Sequence, residues 1–183
     1  YMNLVEKALI FATNAHSGQT RKKTSIPFIL HCIEASNIAR EMTEKNGSVN
    51  QNLIASQLLH DTVEDTDTTQ DLILEKFGEE IATLVEIQTE DKTKTWDERK
   101  QHAMEILDSN ESIEVEMAYL SDKLSNMRSL NREYIEKGEE LWGKFNAGKE
   151  KQKWYYSSIA DKLKLVRETE QYKEYVELIN ILF

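Results

Sequence analysis

Chain breakers are scarce in this sequence. One proline, Pro27, and six glycines are spread over 183 residues, too few for a loop-rich or strand-and-turn architecture. A single cysteine, Cys32, excludes an internal disulfide and a cysteine-based zinc cluster, and it fits a reducing, cytoplasmic setting. No uncharged apolar run approaches 18 residues, so no transmembrane helix is expected. Glu6 and Lys7 interrupt the first apolar stretch early, unlike a signal peptide. Positive charge is also short: 23 Lys and Arg against 33 Asp and Glu leave a net charge of −10. Such a surface repels polyanions, so neither nucleic acid nor an anionic membrane is an expected partner. An anionic small molecule remains compatible if cations gather locally, and Arg21-Lys22-Lys23 is the one tight basic run in the first half.

What is abundant is helical. Leu4, Ala8, Phe11, Ala12 and Ala15 recur at helical spacing and predict a first helix over about Asn3–His16, followed by a loop to Pro27. Phe28–Met42 reads as a second helix, with a break at Asn46-Gly47, and Asn50–Leu59 as a third, apolar enough to be central. Asp67 or Thr68 is a candidate cap for a helix over Gln70–Phe77. Gly78 separates it from Glu79–Glu90, and Thr95 or Trp96 begins another that runs to Leu107. Ile113 to about Tyr134 is a long helix, and Leu141–Leu182 holds one or two more. No alternating segment exceeds about four residues, and there is no repeat or low-complexity linker. The expectation is one all-α bundle domain over residues 1–183.

The chemistry concentrates in Leu58-Leu59-His60-Asp61-Thr62-Val63-Glu64-Asp65-Thr66. Imidazole and carboxylate together suit a divalent transition metal. If the helix continues, Glu64 lies one turn after His60, and Asp65 one turn after Asp61. A His-Asp pair alone is compatible with an ordinary helix C-terminus. Three acids and an imidazole crowded together repel one another, and a cation relieves them most simply. His31 sits at the start of the second helix, where a neutral, ligating imidazole is comfortable, although a buried core histidine would look the same. Asp122 is an acid embedded in apolar periodicity and needs a partner, with Asn126 four residues on.

Five motifs then stand in order. They are Ala15-His16-Ser17-Gly18-Gln19-Thr20-Arg21-Lys22, Pro27-Phe28-Ile29-Leu30-His31, His60-Asp61-Thr62-Val63-Glu64-Asp65-Thr66, Phe77-Gly78, and Asp122-Lys123-Leu124-Ser125-Asn126-Met127-Arg128. Together they resemble the hydrolase (HD) domain of RelA/SpoT homologues, in the style of the stand-alone small alarmone hydrolases, including the metazoan form. The resemblance covers about residues 3–132, with 133–183 a helical extension. It implies an HD-domain helical bundle with a metal site in its core cleft. It also implies one Mn²⁺, in a set open to other divalent ions, and removal of the 3′-pyrophosphate of guanosine tetra- or pentaphosphate (ppGpp or pppGpp), the alarmone of the stringent response. By position, His31, His60, Asp61 and Asp122 resemble the metal ligands. Glu64 and Asp65 resemble the pair that activates water, and Asn126 a site residue beside the metal. Arg21, Lys22 and Lys92 resemble nucleotide and phosphate contacts, with Lys151 and Tyr155 further candidates from the tail.

The chain departs from the family in three places. Cys32 follows His31 where proline is common, Ser125 stands where long relatives often carry histidine, and the loop Lys23-Thr24-Ser25-Ile26 lacks the usual glycine. Two other readings remain open on residues alone. One is an HD-type phosphohydrolase acting on another nucleotide, such as a phosphorylated dinucleotide cofactor, which would release orthophosphate. The other is a non-catalytic nucleotide-sensing module that uses the aromatic tail (Trp142, Phe145, Trp154, Tyr155, Tyr156). A homo-oligomer is compatible with either.

Overall fold

The computed structural model describes residues 2–45 and 48–183, so the expected break at Asn46-Gly47 lies outside the described residues. Ten α-helices account for the architecture among the described residues, with no strand and one isolated bridge, Thr20 to Pro27. The all-α expectation therefore holds. The chain divides into two compact units, Tyr1–Thr93 and Lys94–Phe183.

The first unit holds α1 (Leu4–Ala15), α2 (Ile29–Lys45), α3 (Gln51–Leu59), α4 (Thr62–Asp65), α5 (Gln70–Phe77) and α6 (Glu79–Glu86). Asn3 opens α1 with a capping box, its side chain accepting from the Glu6 N–H while Glu6 reaches back to the Asn3 N–H. Helix α3 packs against α1, α2 and α6 and is buried from Leu53 to Leu59. Small residues at Ala8, Ala12 and Ala55 allow close approach, while Leu58, Leu59 and Ile81 fill the space between the helices. Burying each of these large side chains stabilises the unit by about 1.5–3 kcal/mol before entropy is counted.

At two boundaries side chains draw the line elsewhere than expected. Thr69, rather than Asp67 or Thr68, caps α5 by accepting from the Leu72 N–H. Thr66 Oγ1 instead bonds to the Thr62 carbonyl and to Thr68 Oγ1. Helix α6 stops at Glu86, four residues early, where Gln88 and Thr89 turn their side chains back onto the Leu84 and Val85 carbonyls at 2.8 Å each. Helix α3 ends at Leu59, as expected, and does not run on through the His-Asp pair. His60 Nδ1 and Thr62 Oγ1 donate to the carbonyls of Gln57 and Leu59 at 2.7 Å each, and the chain turns before the single helical turn of α4.

The second unit holds α7 (Trp96–Ser109), α8 (Ile113–Lys137), a 3-10 segment (Gly138–Lys144), α9 (Gly148–Lys162) and α10 (Glu170–Leu182). Thr95 and Glu98 form a capping box at the head of α7. The long α8 packs on α10, and α7 on α9. Buried Glu116 on α8 ties down the turn after α9, one carboxylate oxygen accepting from the N–H groups of Lys164, Leu165 and Val166 at 2.7–3.3 Å. No helix among the described residues is long and apolar enough to cross a membrane.

Candidate metal centre

His31 and His60 meet in the core of the first unit. His31 lies in the first turn of α2, His60 caps α3, and both are buried. Because a carbonyl only accepts, the 2.7 Å contact to Gln57 O places the His60 proton on Nδ1 and leaves a lone pair on Nε2. That Nε2 is 3.2 Å from His31 Nε2. Asp61 Oδ2 lies 3.4 Å from His31 Nε2 and 3.2 Å from His60 Nε2. Asp61 reaches this position with φ −96° and ψ −2°, between helix and extended backbone, a conformation the turn after α3 imposes. Burial raises the Asp61 pKa, but His60 and His31 outweigh it and hold the carboxyl far below the ordinary range. Three donor atoms so spaced are what a shared ion with bonds of about 2.1 Å requires. The set therefore fits a divalent metal. The Cys32 thiol also lies near, its sulfur within 4.8 Å of ligand atoms of His60 and Asp61.

The acidic pair of α4 faces the segment that follows α6. Glu64 Oε2 accepts from the Glu90 N–H at 2.9 Å, and Asp65 Oδ1 pairs with Lys92 Nζ. Burial pushes the Glu64 carboxyl up to about 7. The Glu90 hydrogen bond opposes this, and the charges of Asp61, Glu90 and Asp65 reinforce it. A carboxyl at that position on the scale exchanges protons near neutrality, as a general base must. For Lys92 burial acts downward, but Asp65, Glu64 and Asp61 raise its pKa and keep it charged.

Arg21 and Lys22 sit in the loop between α1 and α2, closed by Arg21 N–H to Ile26 O at 2.8 Å and Phe28 N–H to Gln19 O at 2.9 Å. The Arg21 guanidinium lies 5.5 Å from the Phe28 ring centre, and that ring meets both His16 and His31 edge-on or tilted. Lys23, in a turn closed by Thr24 N–H to Arg21 O, adopts φ 55°. This is the left-handed conformation that glycine takes freely.

In the second unit, buried Asp122 finds partners on its own helix, Asn126 Nδ2 at 2.7 Å and Lys123 Nζ at 2.5 Å. Neighbours at i and i+1 do not normally face each other on a helix, yet Lys123 reaches Asp122. Its Nζ also lies 5.6 Å from the Tyr155 ring centre, and Lys100 Nζ lies 4.6 Å from it. Tyr155 is buried against Trp96 and Tyr156. Lys151 is paired with Asp97 at 2.8 Å and lines a groove of about 600 Å³ with Glu98, Glu105 and Trp154. The sequence reading missed the Gln57 carbonyl and the Glu90 N–H as site groups. Both are backbone atoms, and side-chain identity gives no signal for them.

The fold and these donors define a class. The sequence model of the HD domain family matches residues 8–150, and the chain belongs to that family. Within it, the chain is similar to guanosine-3′,5′-bis(diphosphate) 3′-pyrophosphohydrolase MESH1 of Mus musculus, 40% identical over 127 residues that make up 69% of each chain. It is 39% identical over 128 residues to the guanosine-3′,5′-bis(diphosphate) 3′-pyrophosphohydrolase of Aquifex aeolicus, covering 69% of this chain and 18% of that longer protein. Among solved structures, lmo0812 from Listeria monocytogenes superposes with a TM-score of 0.73 at 31% identity, over 84% of this chain and 98% of that one. A metazoan ortholog of SpoT, described as hydrolysing ppGpp, shares the fold with a TM-score of 0.78 over 99% of this chain and 97% of that one, at 23% identity.

Proposed function

We propose that this chain is a divalent-metal-dependent guanosine-3′,5′-bis(diphosphate) 3′-pyrophosphohydrolase, which converts ppGpp or pppGpp to GDP or GTP and pyrophosphate. The observation that carries the reading is the convergence of His31, His60 and Asp61, with Glu64 and Asp65 one turn further on, in a chain 40% identical to a hydrolase of that name. His31, His60 and Asp61 hold the metal, and Asp122 is proposed as the fourth ligand on the order of the family's motifs. The mixed nitrogen and oxygen donor set favours Mn²⁺ over Mg²⁺. When bound, such an ion lowers the pKa of water and offsets phosphoryl charge.

The chain's own residues supply the rest. Glu64 accepts the proton of the attacking water, and Asp65 shares its orientation. Arg21, Lys22 and Lys92 neutralise substrate phosphates in a protein that is otherwise acidic. Asn126 fixes Asp122 through its amide. Lys151 and Tyr155 are proposed as further nucleotide contacts, which in Lys151 requires exchange of its Asp97 partner. A single HD domain spanning both units, in a cytoplasmic setting, accords with the family match over 8–150 and the lone cysteine.

The test is incubation of the purified protein with ppGpp and Mn²⁺, with and without chelator, resolving products by ion exchange. Chelator-sensitive GDP and pyrophosphate are expected. Orthophosphate release from a phosphorylated dinucleotide, with ppGpp untouched, would replace the substrate class. Tight nucleotide binding by metal-loaded protein without turnover would replace catalysis with sensing.

A further inference from the structure

The segment after α6 is tied to the surroundings of the His60–Asp61 turn at several points. Gln88 Oε1 receives the Gln57 amide at 3.4 Å, and Gln57 is the residue whose carbonyl holds His60. The Glu90 N–H bonds Glu64, and Lys92 Nζ bonds Asp65. Asp91 closes the segment on itself by accepting from Thr93 N–H at 2.9 Å and Thr93 Oγ1 at 2.7 Å, which fixes the backbone on either side of Lys92. Adjacent acids such as Glu64 and Asp65, with Asp61 and Glu90 close by, repel one another and would swing apart unless each is held. The Lys92 side chain is 54% exposed and Asp65 24%, so the cationic end of the pair is open to an incoming anion.

We propose that residues 88–93 form a strap that positions the acidic pair, and that Lys92 is a positioning residue for Asp65 rather than a phosphate contact alone. This rests on the pyrophosphohydrolase reading. In the free protein Lys92 neutralises Asp65 and keeps it beside Glu64. An arriving phosphate competes for the same ammonium, so one side chain both senses the substrate's charge and releases the acid to act on water.

The decisive experiment is a double-mutant cycle of Lys92→Met and Asp65→Asn, measuring kcat and KM for ppGpp at saturating Mn²⁺. Residues that act through each other give non-additive losses. Each single variant is expected to lower kcat by about tenfold or more. The double variant is expected to be no worse than Asp65→Asn, and Lys92→Arg to restore most of kcat. A Lys92→Met variant that raises KM with kcat unchanged, with losses that multiply in the double variant, overturns the proposal. Amide hydrogen exchange supplies a readout that needs no turnover. Exchange at Glu90 should quicken about tenfold in Lys92→Met and stay slow in Lys92→Arg, and no change in Lys92→Met equally overturns the strap. If the wild type holds metal yet leaves ppGpp intact, the function reading falls, and the exchange result still decides the strap.

Discussion

Replacing Glu64 with glutamine in chelator-treated protein should make the fold more stable at alkaline pH. The Glu64 carboxyl is half-buried. Burial, with the charges of Asp61, Glu90 and Asp65, moves it from an ordinary 4.5 up to about 7 against the Glu90 hydrogen bond. At about 1.4 kcal/mol per pH unit, that interval sets a ceiling of about 3 kcal/mol on the cost of ionising it in the fold. The sign follows from proton counting. Between about 4.5 and 7 the folded protein keeps a proton that the unfolded chain has released. Stability therefore falls as pH rises through that window, and the loss is complete above about 7. An amide cannot ionise, so Glu64→Gln escapes the loss. It still accepts from the Glu90 N–H, whose effect is already contained in that interval, and solvent screening of a half-buried group trims the gain. The net expectation is a gain of about 1–2 kcal/mol over wild type at pH 8.5, absent at pH 4.5. Urea unfolding followed by circular dichroism in chelator at the two pH values measures it. A Glu64→Gln protein less stable than wild type at pH 8.5, or a gap independent of pH, would refute the account of how this acid is held.

Three further outcomes follow from other sites. His60→Ala removes one of three convergent donors and should weaken Mn²⁺ binding by about 100-fold or more in titration calorimetry, without requiring any assay of hydrolysis. Lys23→Gly relieves a left-handed turn residue and should raise stability by about 1 kcal/mol in thermal or urea unfolding, and a loss would show that the lysine side chain compensates its backbone. Glu116→Ala takes the shared acceptor from three backbone N–H groups, of which that of Val166 is buried, and should cost about 2 kcal/mol or more. Glu116→Gln, which keeps an acceptor, should cost about half as much, and equal effects would contradict the cradle.

Much of the fold was legible because the helices carry their own punctuation. The Asn3-to-Glu6 and Thr95-to-Glu98 spacings are capping boxes in sequence and in space, and Gly78 and Gly138 take the positive φ that ends a helix. Errors arose where side chains compete with the helical ladder. Gln88 and Thr89 end α6 before Glu90, whereas the stop of α3 at Leu59, which His60 and Thr62 enforce, falls where the sequence places it. Each of these residues is compatible with a helix, and only its tertiary setting decides which carbonyl it takes. In the site, the residue types with metal chemistry were readable from their order. The groups that orient them were not, since Gln57 contributes a carbonyl, Glu90 an N–H, and Lys123 reaches Asp122 from the next position along α8.

The Gln57 carbonyl has an evolutionary consequence. An imidazole oriented by a carboxylate side chain can lose its tautomer to one substitution. His60 takes its tautomer from a main-chain oxygen that every residue type supplies. Drift at position 57 can change how that helix packs, but it cannot delete the atom that keeps the lone pair on Nε2. The ring is thus protected against point mutation and exposed to anything that shifts the last turn of α3 along its axis.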